Sequence, residues 1–106
     1  MQEHQLSESD QGAVVQARTG DLIEVRLHEM PAGGYRWVVD SSPDPVLEAL
    51  DEKFEFAEGR VGAVNTACFR FRVKAIGTGP IRLSYRRPWE KDEPPLKTYE
   101  ATVEAR

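Results

Sequence analysis

The chain offers few side chains whose type and spacing would support catalysis. Cys68 is the one thiol, and it shares a strand phase, and so a predicted sheet face, with Arg70, Arg72 and Lys74. A thiol beside cations is a candidate nucleophile, because a positive environment favours the thiolate. The same position also suits a small residue on a sheet face, and no histidine stands nearby in the sequence. Cys68 is therefore either a reactive thiol or a structural residue.

Carboxylates, glycines and histidines give no stronger catalytic pattern. The adjacent acidic pairs at 51–52 and 92–93 would point to opposite faces of a strand. The Gly-x-Gly at 77–79 leads into a proline and a strand-like run, whereas a phosphate-binding loop leads into a helix. His4 and His28 lack the partner spacing of a metal site. We therefore expect no enzyme, no metal and no cofactor.

The charge pattern limits the classes of partner. The net charge is −4 over 106 residues, which argues against nucleic acid, and no apolar run approaches the roughly 20 residues of a membrane-spanning helix. Some cations recur on two alternating segments: Arg70, Arg72, Lys74, Arg82 and Arg86. They form either a basic face for an acidic partner or a solvated face whose charges pair with Glu100 and Glu104.

One segment has the composition of a thin binding loop. Residues 30–37 read Met-Pro-Ala-Gly-Gly-Tyr-Arg-Trp, so that Gly33 and Gly34 precede two aromatic residues. Glycine lets a backbone approach another surface closely. The loop is therefore either a wedge for a partner or an ordinary connection. Tyr35 and Trp37 fit the inward phase of the strand that follows, and we expect both in the core.

A second candidate segment, residues 86–90, reads Arg-Arg-Pro-Trp-Glu. Trp89 comes after the point where the preceding strand should turn. An exposed tryptophan beside an arginine and a stiff proline is typical of a binding hot spot. Alternatively, Trp89 folds back and covers the end of the core.

Alternating apolar and polar residues predict the elements that position these segments. No stretch of a dozen residues has a helical period, whereas a period of two recurs between clusters of glycine and proline. The pattern predicts about seven strands, at 12–18, 21–29, 35–41, 46–57, 66–76, 79–87 and 97–105. Segment 46–57 is ambiguous, because its start also fits a short helical turn. We predict an all-β, antiparallel fold, a sandwich or a barrel, with Trp37, Phe69, Phe71, Leu83 and Tyr85 facing inward.

The predicted domain organisation is a flexible N-terminal tail at 1–10 and a β-sandwich domain at 11–106. The tail is polar and acidic, unlike the basic and apolar start of a secretory signal. The sequence leaves open whether the protein stays inside the cell or loses a targeting segment.

Taken together and in order, the two loop segments resemble those of the chagasin-like family of inhibitors of papain-family cysteine peptidases. The likeness extends from about Gly12 to Ala105 and includes the run at 19–23, Thr-Gly-Asp-Leu-Ile. The resemblance implies an immunoglobulin-like sandwich with three inhibitory loops at one end. The first loop would enter the active-site cleft of the peptidase, and the other two would grip its rims.

The resemblance also implies which residues bind the peptidase. The first loop corresponds to Met30, Pro31, Ala32, Gly33, Gly34 and Tyr35, where the family pattern Asn-Pro-Thr-Thr-Gly-Tyr has lost its asparagine and both threonines. The glycine-rich second loop corresponds to Gly62, Ala63, Val64 and Asn65 and keeps only its first glycine. The third, Arg87, Pro88 and Trp89, is intact.

These departures predict weaker affinity or an altered target, because each lost threonine hydroxyl removes a hydrogen bond worth about 0.5–1.5 kcal/mol. Restoring threonine at Ala32 and Gly33 is then predicted to tighten binding. The expected partner is a papain-like cysteine peptidase, and we expect the protein to be a monomer. The alternative function is a non-inhibitory protein-binding module on the same fold, with altered loops.

Overall fold

The computed structural model of the chain describes residues 2–29, 32–40, 45–55, 65–90 and 92–106. Within them the chain forms eight strands: β1 (Glu3–Leu6), β2 (Val14–Ala17), β3 (Leu22–Glu29), β4 (Arg36–Val39), β5 (Leu47–Glu55), β6 (Asn65–Val73), β7 (Gly77–Arg86) and β8 (Lys97–Ala105). Short 3-10 turns occupy Glu8–Asp10 and Ala32–Gly34. In this part of the chain, no helix is long and apolar enough to cross a membrane.

The strands form two four-stranded sheets packed as a sandwich, the architecture that the family resemblance implies and one of the two that the alternation favours. The first sheet has the order β1-β3-β6-β5 and the second has the order β2-β8-β7-β4. The pairs β3–β6, β5–β6, β4–β7 and β7–β8 are antiparallel, whereas β1–β3 and β2–β8 are parallel. The all-β prediction is confirmed; the described residues contain eight strands in place of about seven, and two of the six strand pairs are parallel where antiparallel pairing was expected.

The core lies between the two sheets and takes one residue in two from each central strand. The inward residues predicted from the alternation are buried, with Phe69 only 1% exposed and Leu83 fully buried. Trp37, Phe71 and Tyr85 are each about 95% buried. Because full burial of one such side chain is worth about 1.5–3 kcal/mol, this core stabilises the sandwich without a disulfide.

The N-terminal segment contains the strand that the alternation does not predict. Residues of β1 pair in parallel with β3, from Glu3 opposite Leu22 to Leu6 opposite Val25, and Leu6 is buried. The chain then crosses to the second sheet, where Tyr99 donates a hydrogen bond from its hydroxyl to the Ser7 carbonyl at 2.9 Å. A four-residue strand with one buried side chain carries too short a pattern to be predicted from sequence.

Strand β5 explains the ambiguity of segment 46–57. Its pairing with β6 shifts by one residue between Ala49 and Asp51, so Leu50 is the extra residue of a β-bulge. A bulge interrupts the period of two, which made the segment resemble a helical turn. Residues 56 and 57 of the predicted strand lie outside the described residues.

The cations that might have shared one face are divided between the two sheets. In the first sheet, Arg70 lies 3.6 Å from Asp51 and Arg72 lies 2.7 Å from Glu48. In the second, Arg82 pairs with Glu100 at 3.4 Å. Charge pairing across strands was therefore predicted correctly, but most of the carboxylates come from β5. The alternative of a single basic face is wrong, because β6 and β7 belong to different sheets.

Cys68 occupies a structural position. It is 2% exposed and lies in register between Arg26 of β3 and Lys53 of β5. A thiol shielded in this way is out of reach of an external substrate, since reactive cysteines are at least partly exposed.

Asp21 joins the N-terminal strand to the β2–β3 turn at one end of the sandwich. Its carboxylate accepts hydrogen bonds from the Gln2 amide at 2.9 Å and the Arg18 amide at 3.0 Å, and it lies 3.0 Å from Nε2 of His4. These bonds, led by the Gln2 amide and the His4 ring, lower the pKa of Asp21 from 3.8 to about 2.

We expect Asp21→Asn to lower the unfolding temperature by several degrees at neutral pH and to reduce the acid sensitivity of the fold. Because the folded-state pKa is lowered, the carboxylate stabilises the fold above about pH 4, and this contribution is lost as the pH falls toward 2. Urea unfolding across this pH range measures the effect. Asp92→Asn, which changes an exposed carboxylate, serves as the control. Parallel acid losses in wild type and Asp21→Asn would contradict the prediction.

Candidate functional site

Three connections leave the sandwich at the same end. We call them loop 1 (residues 30–35, between β3 and β4), loop 2 (residues 56–64, between β5 and β6) and loop 3 (residues 87–96, between β7 and β8). The register determines this arrangement, because Glu29 pairs with Asn65 in the first sheet and Arg36 pairs with Arg86 in the second. Both pairs are the last ones before the loops begin.

An aromatic cluster supports loop 1 from below. The Trp37 ring packs on the Tyr85 ring with 5.0 Å between the ring centroids. The Tyr35 ring also stacks on Tyr85, with 5.7 Å between the centroids. Lys97 places its ammonium group 4.8 Å from the Tyr85 centroid. Trp37 is in the core as predicted. Tyr35 was also expected in the core, but it is only partly buried and packs against the outside of the core. Rigid aromatic packing of this kind holds a loop in place at a low entropic cost.

Arg87 connects loop 3 to the backbone of loop 1. Its Nε donates a hydrogen bond to the Gly33 carbonyl at 2.7 Å, and its guanidinium lies 4.7 Å from the Tyr35 ring centroid. Glu90 accepts a further bond from Arg87 at 2.9 Å. This bond to Glu90, together with the nearby Tyr35, raises the pKa of Arg87 above its usual value.

Trp89 lies on the other side of the same glycine pair. Its side chain is 67% exposed, so the alternative in which it covers the core is wrong. The indole ring packs directly on the backbone of Gly34, because a Cβ added there would overlap Cη2 of Trp89 and lie 3.2 Å from Cζ2 and Cζ3. Gly34 also has a φ of +80°, a conformation that favours glycine. The backbone therefore favours glycine at this position, and any larger residue would displace the Trp89 ring.

The described residues of loops 1 and 3 thus form one ridge at the end of the sandwich, and the predicted site residues divide accordingly. The structure brings together five of them: Gly33, Gly34, Tyr35, Arg87 and Trp89. Pro88 is exposed between Arg87 and Trp89. Ala32 contributes backbone to the 3-10 turn, and Asn65 begins β6 half-buried. Met30, Pro31, Gly62, Ala63 and Val64 lie outside the described residues.

Two residues next to the ridge were not singled out from the sequence. Glu90 fixes the guanidinium of Arg87, and nothing in its local pattern indicates this role. Glu29 is a buried carboxylate at the base of loop 1. A signal for Glu29 was present, because it continues the inward phase of Ile23, Val25 and Leu27.

Among the described residues, the groups that the ridge presents are suited to binding a partner. The exposed groups of the ridge are a glycine backbone, an indole ring and an arginine whose hydrogen bonds are made within the protein. Such a surface provides shape, apolar area and backbone hydrogen-bonding groups, which is typical of recognition.

Comparison with known proteins identifies the class of partner. A profile of the chagasin family of peptidase inhibitors (I42) matches residues 16–103. Chagasin of Trypanosoma cruzi is 30% identical over 91 residues, which cover 81% of this chain and 83% of that protein. Amoebiasin-2 of Entamoeba histolytica is 31% identical over 102 residues, which cover 94% of this chain and 83% of that protein.

A solved structure supports the same assignment in three dimensions. The crystal structure of EhICP2, a cysteine protease inhibitor from Entamoeba histolytica, matches with a TM-score of 0.85 at 28% identity. The match covers 100% of this chain and 97% of that one. Since sequence and fold agree over nearly the whole length, the chain belongs to the chagasin family and is a protein inhibitor of cysteine peptidases, not an enzyme.

Proposed function

We propose that this protein inhibits papain-family cysteine peptidases reversibly, by inserting loop 1 into the active-site cleft while loops 2 and 3 contact its rims. The observation that carries the proposal is the ridge itself. Arg87 holds the Gly33 carbonyl and Trp89 packs on Gly34, so that the tip of loop 1 is supported from loop 3. A narrow backbone segment without bulky side chains fits the cleft of a peptidase that binds extended peptides.

The physical advantage of this design is pre-organisation. Loops 1 and 3 are attached to rigid strands and connected to each other by Arg87. Fewer degrees of freedom are therefore lost when the peptidase binds, and more of the contact energy remains as affinity. No group in the inhibitor needs to react, because occupying the cleft is enough to exclude substrate.

The proposal is tested by titrating the protein against papain and a cathepsin L-like peptidase, following hydrolysis of a fluorogenic peptide. We expect saturable inhibition that is reversed by dilution, with the inhibitor chain intact afterwards. The absence of inhibition at micromolar concentration of both enzymes would contradict the papain-family assignment. Binding without inhibition would instead support the alternative, a protein-binding module with altered loops.

The backbone of loop 1 argues against one expectation from the family pattern. Gly33 has a φ of +84°, a region in which β-branched residues are strained. We therefore expect Gly33→Thr to weaken inhibition, and the double variant with Ala32→Thr to weaken it as well, in place of the tighter binding that the family pattern suggests. Strain of this kind costs about 1–3 kcal/mol, or roughly 5- to 150-fold in affinity if loop 1 must adopt this conformation to bind.

Inhibition constants for Gly33→Thr and for Gly33→Ala, whose smaller side chain is less strained, measure this effect. A Cβ at Gly33 meets only ordinary contacts, the nearest 3.6 Å away on Tyr35, so a loss of inhibition in Gly33→Ala reflects backbone strain more than a clash. Tighter inhibition by Gly33→Thr would show that the loop binds in a different conformation.

A further inference from the structure

Glu29 is a buried carboxylate in a position where the strand otherwise buries apolar side chains. It is 5% exposed and continues the inward phase of Val25 and Leu27 at the end of β3. A carboxylate removed from water is costly unless hydrogen bonds compensate for the lost hydration. Its position is therefore informative, because the bonds that it makes show what it holds in place.

Those bonds connect the two ends of loop 1. The Trp37 amide donates to Oε2 of Glu29 at 3.1 Å, across eight residues of sequence. Nε of Arg36 lies 3.9 Å from the other carboxylate oxygen, Oε1. The indole Nε1 of Trp37 donates to the carbonyl of His28 at 2.9 Å, one residue before Glu29. Trp37, which follows loop 1, thus makes one hydrogen bond to each of the two residues that precede the loop, His28 and Glu29.

The amide and the ring of His28 are held in place as well, by Glu8. The Glu8 carboxylate accepts a hydrogen bond from the His28 amide and lies 2.8 Å from Nδ1 of its ring. Glu29 is in turn the register partner of Asn65, where β6 begins after loop 2. The carboxylate of Glu29 therefore lies at the base from which loop 1 leaves and next to the strand end that follows loop 2.

We propose that Glu29 is a positioning residue for loop 1: its carboxylate closes the base of the loop, so that Gly33 and Gly34 are held where Arg87 and Trp89 meet them. The proposal rests on the inhibitory role proposed above and adds a residue that makes no contact with the peptidase. Arg87 constrains the tip of the loop and Glu29 constrains its base.

The test compares Glu29→Ala with Glu29→Gln against one papain-like peptidase, at a temperature where both variants are folded. Alanine removes the acceptor for the Trp37 amide, whereas glutamine keeps a carbonyl oxygen there. We expect the inhibition constant to rise about tenfold or more for Glu29→Ala and to stay within about threefold of wild type for Glu29→Gln. An alanine variant as potent as wild type would overturn the proposal, as would a glutamine variant as weak as alanine.

Asp21→Asn separates positioning from stability. Asp21 lies at the opposite end of the sandwich, so its loss lowers the unfolding temperature without touching the loops. We expect its inhibition constant to match that of wild type. If Asp21→Asn and Glu29→Ala weaken inhibition equally for the same loss of stability, Glu29 has only a structural role.

Amide exchange gives a readout that does not depend on inhibition. In wild type we expect slow exchange at the Trp37 amide, and in Glu29→Ala faster exchange there together with greater motion at Gly33 and Gly34. Fast exchange at Trp37 in wild type would overturn the proposal even if the alanine variant failed to fold. If wild type does not inhibit but these amides respond to Glu29, the positioning role stands and the proposed function is wrong.

Discussion

Trp89→Ala is expected to raise the inhibition constant about 30-fold or more, the loss typical of an interface hot spot worth at least 2 kcal/mol. The ring is 67% exposed in the free protein and already supported on one side by Gly34. Its open side therefore provides a large and rigid apolar surface for the peptidase. Binding would bury that surface with little loss of side-chain entropy, because the ring is already held.

Leu96→Ala is the matched control for this variant. Leu96 lies in loop 3, as Trp89 does, and is almost as exposed at 65%, but it is outside the Arg-Pro-Trp segment. We expect its loss to change the inhibition constant by less than about threefold. Both substitutions remove exposed side chains, so the free energy of unfolding should change by no more than about 0.5 kcal/mol. Equal effects of the two variants on inhibition would show that Trp89 has no special place in the interface.

Gly34→Ala is expected to produce the second large effect, a loss of at least tenfold in affinity. The new Cβ would overlap the Trp89 ring and force it to move, and the alanine would also occupy a φ of +80°. The first effect disrupts the contact between loops 1 and 3, and the second strains the loop at a cost of about 1–3 kcal/mol. The variant thus perturbs two of the proposed binding elements through one methyl group.

Gly12→Ala controls for backbone strain alone. Gly12 has nearly the same φ, +81°, but a Cβ there meets nothing within 4 Å. We expect it to lower the unfolding temperature while leaving inhibition unchanged. Combining Gly34→Ala with Trp89→Ala isolates the clash, because the double variant has no ring to displace. We expect the two losses to be less than additive, and full additivity would show that the ring and Gly34 do not interact in the complex.

The interaction between the loops gives the arginine of loop 3 a role within the free protein. The family resemblance implies that Arg87 contacts the rim of the peptidase. In the free protein its Nε and guanidinium are already used on the Gly33 carbonyl, the Tyr35 ring and Glu90. Arg87 therefore stabilises loop 1 before any partner arrives, and the exposed Trp89 beside it remains available for the peptidase.

Much of the fold could be predicted from the sequence, because burial between two sheets imposes a period of two that is visible locally. Trp37, Phe69 and Leu83 were assigned inward for that reason, and they are buried. The misses also have a local cause. The one buried residue of β1, Leu6, cannot establish a period, and the bulge at Leu50 breaks one.

The sequence by itself determined the sandwich, the family and the two segments that form the ridge, since each depends on residues close together in the chain. Only the tertiary structure decided how those segments act together. Arg87 and Gly33 are 54 residues apart, and their hydrogen bond exists because the register brings the ends of β3, β4 and β7 to one edge of the fold. The same holds for the backbone conformation of Gly33 and for the hydrogen bonds of the Glu29 carboxylate. Their conformations and partners depend on packing across the two sheets, which no local pattern encodes.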